Sequence, residues 1–167
     1  MAHRVENAST SSPRHRPARA ERGQSLVELG ITIVLLVTLA MGIIEFGRAF
    51  MIANMVTAAT RDGARAAAVT SSTNRDATTG QISSAGKSAI QTQVVNEVNS
   101  VAPNLFTTSN VAVCQSTLDA SCPTVAGINT VTVTVTKNVP FIFNLVPGIG
   151  SSFNVGRQIT FRDEGRP

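Results

Sequence analysis

Apolar residues are spaced along this chain in three ways, and each spacing predicts a different element. Residues 29–44 (LGITIVLLVTLAMGII) run sixteen positions without a charge, and adding Leu26, Val27 and Glu28 gives nineteen with a single acid. At about 1.5 Å per residue such a helix covers about 28 Å, close to the roughly 30 Å hydrocarbon thickness of a bilayer. Residues 81–102 place Ile90, Val94, Val98 and Val101 at helical spacing, with Gln91, Asn96, Glu97 and Asn99 elsewhere, and Pro103 is the expected stop. Residues 129–137 (NTVTVTVTK) alternate strictly, Val131, Val133 and Val135 against Thr130, Thr132, Thr134 and Thr136, which predicts a strand with one buried face.

Between these blocks the chain reads as follows. Phe46 and Phe50 stand four apart, Val56 and Ala59 roughly continue their stripe, and the apolar helix is expected to run on without a break. Glu45 and Arg48 are spaced for an i, i+3 pair, for which a solvated contact worth about a few tenths of a kcal/mol is a sufficient reading. Residues 57–69 (TAATRDGARAAAV) are Ala-rich, with Arg61, Asp62 and Arg65 as a polar face; Gly63 costs about 1 kcal/mol unless something approaches it closely. A helix over 24–69 would be a rod of roughly 70 Å, half in lipid and half outside. Residues 71–80 (SSTNRDATTG) break it, 111–114 form a short strand, and 140–149 (PFIFNLVPGI) an apolar loop. Phe153, Val155, Ile159 and Phe161 then alternate as a last strand. The expected architecture is α+β, a long N-terminal helix followed by a small antiparallel sheet covered by the second helix. Three regions follow: a leader at 1–23, transmembrane and extended helix at 24–70, and an exterior domain at 71–167.

A buried helix in a soluble domain is the alternative to a span, but a helix apolar all round needs a large protein about it, and the rest of the chain, rich in Ser, Thr and Asn, offers none. A cleaved secretory signal is a second alternative. Against it, the run exceeds the roughly 7–15 residues of a signal core and Glu28 sits at its entrance. Only Thr38, Leu39 and Ala40 resemble a small-residue cleavage site, and they lie inside the run.

Composition agrees with an anchored chain. Of 167 residues only 14% are charged, Trp and Tyr are absent, and Phe numbers seven. The net charge of +4 is concentrated at the start, where residues 1–23 hold five Arg and two Glu. Nucleic-acid binding would want basic residues on the folded part with aromatics to stack on bases, and that pattern is missing. An Arg-rich segment before an apolar span fits the positive-inside bias, which holds it in the cytoplasm and puts residues beyond Ile44 outside. Residues 1–21, with almost nothing to bury, read as a disordered leader, and His3 and His15 within it have no partners for catalysis or metal binding.

Cys114 and Cys122 flank a seven-residue stretch containing Asp119 and Ser121, with Pro123 after it. In an oxidising compartment a disulfide is the preferred state, worth about 2–3 kcal/mol by loop closure, with two free thiols as the alternative. There is no CxxC and no His after residue 15, so nothing calls for a metal or other cofactor.

Two stretches resemble known families. Gly23-Gln24-Ser25-Leu26-Val27-Glu28 ahead of an apolar helix resembles the processing site of type IV pilins and pseudopilins, with a Gly before the cut and a Glu five residues into the mature chain. The longer pattern resembles the TadE-like family of bacterial tight-adherence (Tad, Flp pilus) proteins. It runs from Arg22 through Glu28 to Ile43-Ile44-Glu45-Phe46-Gly47-Arg48, then Ala58-Ala59-Thr60-Arg61-Asp62-Gly63-Ala64-Arg65-Ala66-Ala67. A looser echo lies in the final Val-alternating strands and in Arg162-Asp163-Glu164. The resemblance implies a pilin-like fold and a minor pilin or pseudopilin, cut between Gly23 and Gln24 by an aspartyl prepilin peptidase at the inner membrane. Its partners would be other pilins, pseudopilins and Tad assembly proteins. Leu29 stands where the Tad major pilins carry Tyr.

The chemistry of Glu28 fits either fate of the leader. An acid in an apolar segment costs about 2.5–3.5 kcal/mol at mid-span and persists near an end or beside a partner. Cleavage would create an amine at Gln24, four residues away, able to neutralise Glu28 in its own or a neighbouring subunit and set axial register. Left uncut, Glu28 would snorkel to the headgroups. Gly30, Ala40 and Gly42 are small enough for close helix packing.

Three function classes follow: a structural pilus subunit; an uncleaved inner-membrane scaffold or adhesin, gripping partners through the apolar loop 141–149; and a periplasmic enzyme. The enzyme fares worst, since the chain has no His beyond the leader and no Gly-x-Ser-x-Gly, and Asp62, Asp76, Glu97, Asp119, Asp163 and Glu164 show no motif spacing.

Overall fold

In the computed structural model, residues 19–116, 122–123, 128–143 and 150–165 are described. Residues 1–18 of the expected leader at 1–23, the middle of the cysteine loop and residues 144–149 of the apolar loop lie outside them.

The first helix, α1, spans Arg19–Ala68 without interruption. No proline occurs in it, and the apolar run passes directly into the Ala-rich one. The hydroxyls of Thr32 and Thr38 return to the carbonyls of Glu28 and Val34, each at 2.8 Å, so the polar groups of the apolar run are satisfied inside the helix. Two units divide the chain, Met1–Leu39 and Ala40–Pro167, and α1 contributes to both.

In the second unit α1 presents Ile52, Val56, Ala59, Thr60, Gly63, Ala64 and Ala67 to the core. This stripe differs from the expected one. Val56 and Ala59 belong to it, but Phe46 and Phe50 are 74% and 61% exposed, because the face that meets the sheet is rotated away from them.

The second helix, α2 (Ser84–Asn99), starts where Ser83 Oγ accepts the Gly86 N–H at 3.1 Å. It buries Gly86, Ile90, Val94, Val95 and Val98. It ends before Pro103 because Asn99 bonds both backbone groups of Phe106, donating to its carbonyl at 2.9 Å and accepting from its N–H at 3.0 Å. Val101 is therefore left in the following turn, half-buried.

Three antiparallel strands form the sheet in the order β1 (Val111–Gln115), β2 (Thr130–Pro140), β3 (Ser152–Arg162). Register places Val113, Val133 and Ile159 side by side, and Val111, Val135 and Arg157 likewise. The valine face closes a single core with α1 and α2, in which Val131, Val133, Val135 and Val139 are fully buried. Each contributes about 1.5–3 kcal/mol relative to exposure. Where the elements cross, a Cβ on Gly63 would collide with Val94 Cγ2 and meet Val133 Cγ1 at 3.8 Å, so the absent side chain is what lets α2 approach.

The threonine face is also partly covered, against expectation. Thr130 and Thr132 are buried, and Thr130 Oγ1 donates to the Pro123 carbonyl at 3.3 Å. Cys114 and Cys122 are joined as a disulfide, Cα atoms 6.0 Å apart, with Cys122 buried. The bridge ties Cys122 and Pro123 down on this face, beside the first residues of β2. The observed class is α+β.

Candidate functional site

The positions singled out at the start of the chain all lie on α1. Gly23 and Gln24 fall in its second turn, with open space around the Gly23 Cα. Gly is the least favourable non-proline residue for helix, so Gly23 weakens this turn. Gln24 Nε2 donates to Glu28 Oε1 at 3.2 Å, one turn along, and both residues are exposed. A free amine at residue 24 would therefore arise one turn from the carboxylate. A methyl group placed on Gly30 or Gly42 would meet nothing within 4 Å, and Ala40 is exposed, so none of the three is covered by this chain.

Leu26, Val27, Leu29, Ile31, Ile33, Val34, Leu35 and Leu36 are all at least half exposed, as are Leu39, Ile43 and Ile44. A stretch of α1 within Gly23–Ala68 is long and apolar enough to cross a membrane, and none of that stretch is buried by the rest of the molecule. A soluble core helix would be covered; this one fits a single-pass membrane protein.

At the far end of the uncharged run, Glu45 departs from its expected solvated role. It is 7% exposed, and its carboxylate joins helix to sheet. Oε1 accepts from Arg48 Nη1 at 3.1 Å and Oε2 accepts the Ile142 N–H at 3.1 Å, while Arg48 Nη1 also donates to the Pro140 carbonyl at 3.1 Å. The pair thus fixes the end of the β2–β3 hairpin to α1.

A second clasp secures the other end of the sheet. The Arg75 guanidinium makes two bonds to Asp163, at 2.6 and 3.2 Å, and donates to the carbonyls of Thr70 (2.9 Å) and Gly80 (2.8 Å). Gln115 donates to Asp163 Oδ2 at 3.0 Å and accepts the Ile82 N–H at 2.8 Å. The N–H groups of Glu164 and Gly165 both reach the Ala68 carbonyl at 3.0 Å, satisfying an orphan acceptor at the end of α1. Sequence separation hides this cluster: Arg75 and Asp163 lie 88 positions apart.

Two acids depart from ordinary carboxylate behaviour. Burial, then the charge of Asp62 on α1 and a hydrogen bond to it, push the Glu97 carboxyl up. Backbone N–H groups of Thr79 and Thr78, with the Thr79 hydroxyl, hold Asp76 down. Among the described residues no three of His, Cys, Asp and Glu come together as metal ligands would.

No curated protein and no solved structure matches the chain. The model of the family described as TadE-like protein matches residues 23–65, from the glycine of the candidate cut through the exposed run to the Ala-rich segment packed in the core. The resemblance read from the sequence is thus shown over that stretch: residues 23–65 match the TadE-like model.

Proposed function

We propose that this protein is a minor pilin or pseudopilin of a bacterial Tad (Flp) pilus system, a non-enzymatic subunit acting in pilus biogenesis and adhesion. The observation that carries this reading is that the TadE-like match begins at Gly23 and takes in the uncovered apolar run, with Glu28 near the start of that run. In this account α1 crosses the inner membrane with the Arg-rich leader in the cytoplasm and the domain of residues 71–167 outside. Prepilin peptidase cuts before Gln24. The new amine, on the same helix face as Glu28, neutralises that carboxylate in its own or an adjacent subunit and so fixes axial register among pilins and assembly proteins. Gly30, Ala40 and Gly42, uncovered within the chain, then admit neighbouring helices.

The experiment is complementation of a deletion strain. Wild type and Gln24→Ala should restore surface pili and adherence, whereas Glu28→Ala should be made, inserted and inactive. Full restoration by Glu28→Ala would remove the register role. The second reading, an uncut inner-membrane scaffold of the same machinery, draws on the helical setting of the Gly23–Gln24 bond, which must unwind before any peptidase can cut it.

A further inference from the structure

The sheet is polarised along its strands. At one end, beside the Thr130 and Arg162 pair, lie Arg75, Asp76, Asp163 and Glu164; at the other, where Pro140 pairs with Ser152, residues 138–156 carry no charge at all. That uncharged end is the one fixed to α1 by Glu45, the first charged residue after the apolar run. Ile142, whose N–H bonds Glu45, nevertheless projects a side chain that is 59% exposed, flanked by half-buried Phe141 and Phe143. Phe141 is braced by Phe153, ring centroids 5.4 Å apart. On the helix beside it, Ile43 and Ile44 are exposed, and so are Phe46 and Phe50, past the charge.

We infer that the hairpin end around Ile142, together with Phe46 and Phe50, is a membrane-seated foot that rests in the interfacial layer of the bilayer α1 crosses. The inference rests on α1 spanning that bilayer. Depth is then set by covalent and hydrogen-bonded geometry: the Ile142 N–H is bonded to the Glu45 carboxylate, so Ile142 stays within one side chain's reach of the end of the span. Along the helix Phe46 lies about 1.5 Å beyond Glu45, inside a polar layer about 5–7 Å deep, and Phe50, about 7.5 Å beyond Glu45, stands at the outer edge of that layer. Exposed Phe and Ile at that height gain by burial in lipid and cost the fold nothing. Arg157, the first charge reached along β3, donates to Thr57 Oγ1 at 2.9 Å and closes the groove that Phe46 and Phe50 line, so it marks the edge of the foot away from the span. The foot gives the domain a second contact with the membrane and limits its rotation about the span.

The chain has neither Trp nor Tyr, so a single introduced tryptophan reports without background. Full-length protein carrying Ile142→Trp, Phe46→Trp, Leu36→Trp or Ala77→Trp would be reconstituted in phosphatidylcholine and phosphatidylglycerol vesicles with lipids brominated near the headgroup or deep in the chains. Deep bromines should quench Leu36→Trp, and Ala77→Trp at the charged end should not respond. Ile142→Trp and Phe46→Trp should be blue-shifted and quenched most by the shallow bromines. Unquenched, red-emitting tryptophans at 142 and 46 alongside a deeply quenched 36 would overturn the foot and leave that surface for a protein partner. An unquenched Leu36→Trp would instead bring down the span, and the foot with it.

Discussion

Arg75 Nη2 lies 2.6 Å from Asp163 Oδ1, with both side chains only 4% exposed. A residue of the first loop after α1 thereby holds the residue that follows β3 against the end of that helix, and every other side-chain polar atom of the pair is bonded as well. A buried ion pair is a poor source of net stability, but breaking one strands a charge. Asp163→Ala should therefore cost about 3–5 kcal/mol in urea unfolding of the detergent-solubilised protein. A loss below about 1 kcal/mol would mean the clasp is solvated in solution.

Gly63 offers a test in which two effects have opposite signs. Helix propensity alone makes Gly63→Ala stabilising by about 1 kcal/mol. Overpacking against Val94, stiff at χ1 and fully buried, costs about 1–3 kcal/mol. We expect a net loss of about 1 kcal/mol, and a gain would show that α2 yields at this crossing.

The acid pair Asp62 and Glu97 predicts how stability varies with pH. The folded-state pKa of Glu97 is raised above its unfolded value, so the folded protein binds more protons between the two. The penalty is absent below the ordinary glutamate range, grows as pH rises through the folded pKa, and is complete at neutrality. Glu97→Gln should thus stabilise the protein slightly at pH 7, by about a few tenths of a kcal/mol for so exposed a pair, and leave it unchanged near pH 3. Asp76, held down, works in the opposite sense: its contribution is present above the usual aspartate range and disappears as pH falls through the folded pKa. Thermal unfolding of wild type, Glu97→Gln and Asp76→Asn from pH 3 to 8 separates the two.

Replacing Cys114 and Cys122 together by Ser opens a loop of eight-residue separation and should cost about 2–3 kcal/mol. It should also speed hydrogen exchange at Thr130 and Thr132 relative to Val133. Unchanged exchange there would mean that the strand is protected without the bridge.

What the sequence made legible was periodic. The uncharged run of 29–44, the apolar spacing of Ile90, Val94 and Val98, and the Val–Thr alternation of β2 each depend on neighbours a few residues away, and each became the element its period implies. Long-range placement was not legible. The expected stripe leads from Phe46 and Phe50 to Val56, but Val56 lies about 120° round the helix from Phe50, and the face that meets the core runs through Ile52, Val56 and Gly63, so the aromatic pair stays outside. Glu45 looked like half of a solvated pair because nothing local shows that Ile142, 97 residues on, donates to it. Burial of Thr132 follows from a covered face that alternation alone reads as open. For the candidate site the motif at Gly23, Gln24 and Glu28 was visible at once, since it is contiguous; the Arg75 clasp was not.

Processing at Gly23 can be read from the intact mass and N-terminal sequence of protein purified from membranes of cells with and without prepilin peptidase. A chain beginning at Gln24 is expected when the peptidase is present, and one with the full Arg-rich leader when it is absent. The same uncut leader in both strains would contradict processing and leave a permanent membrane anchor.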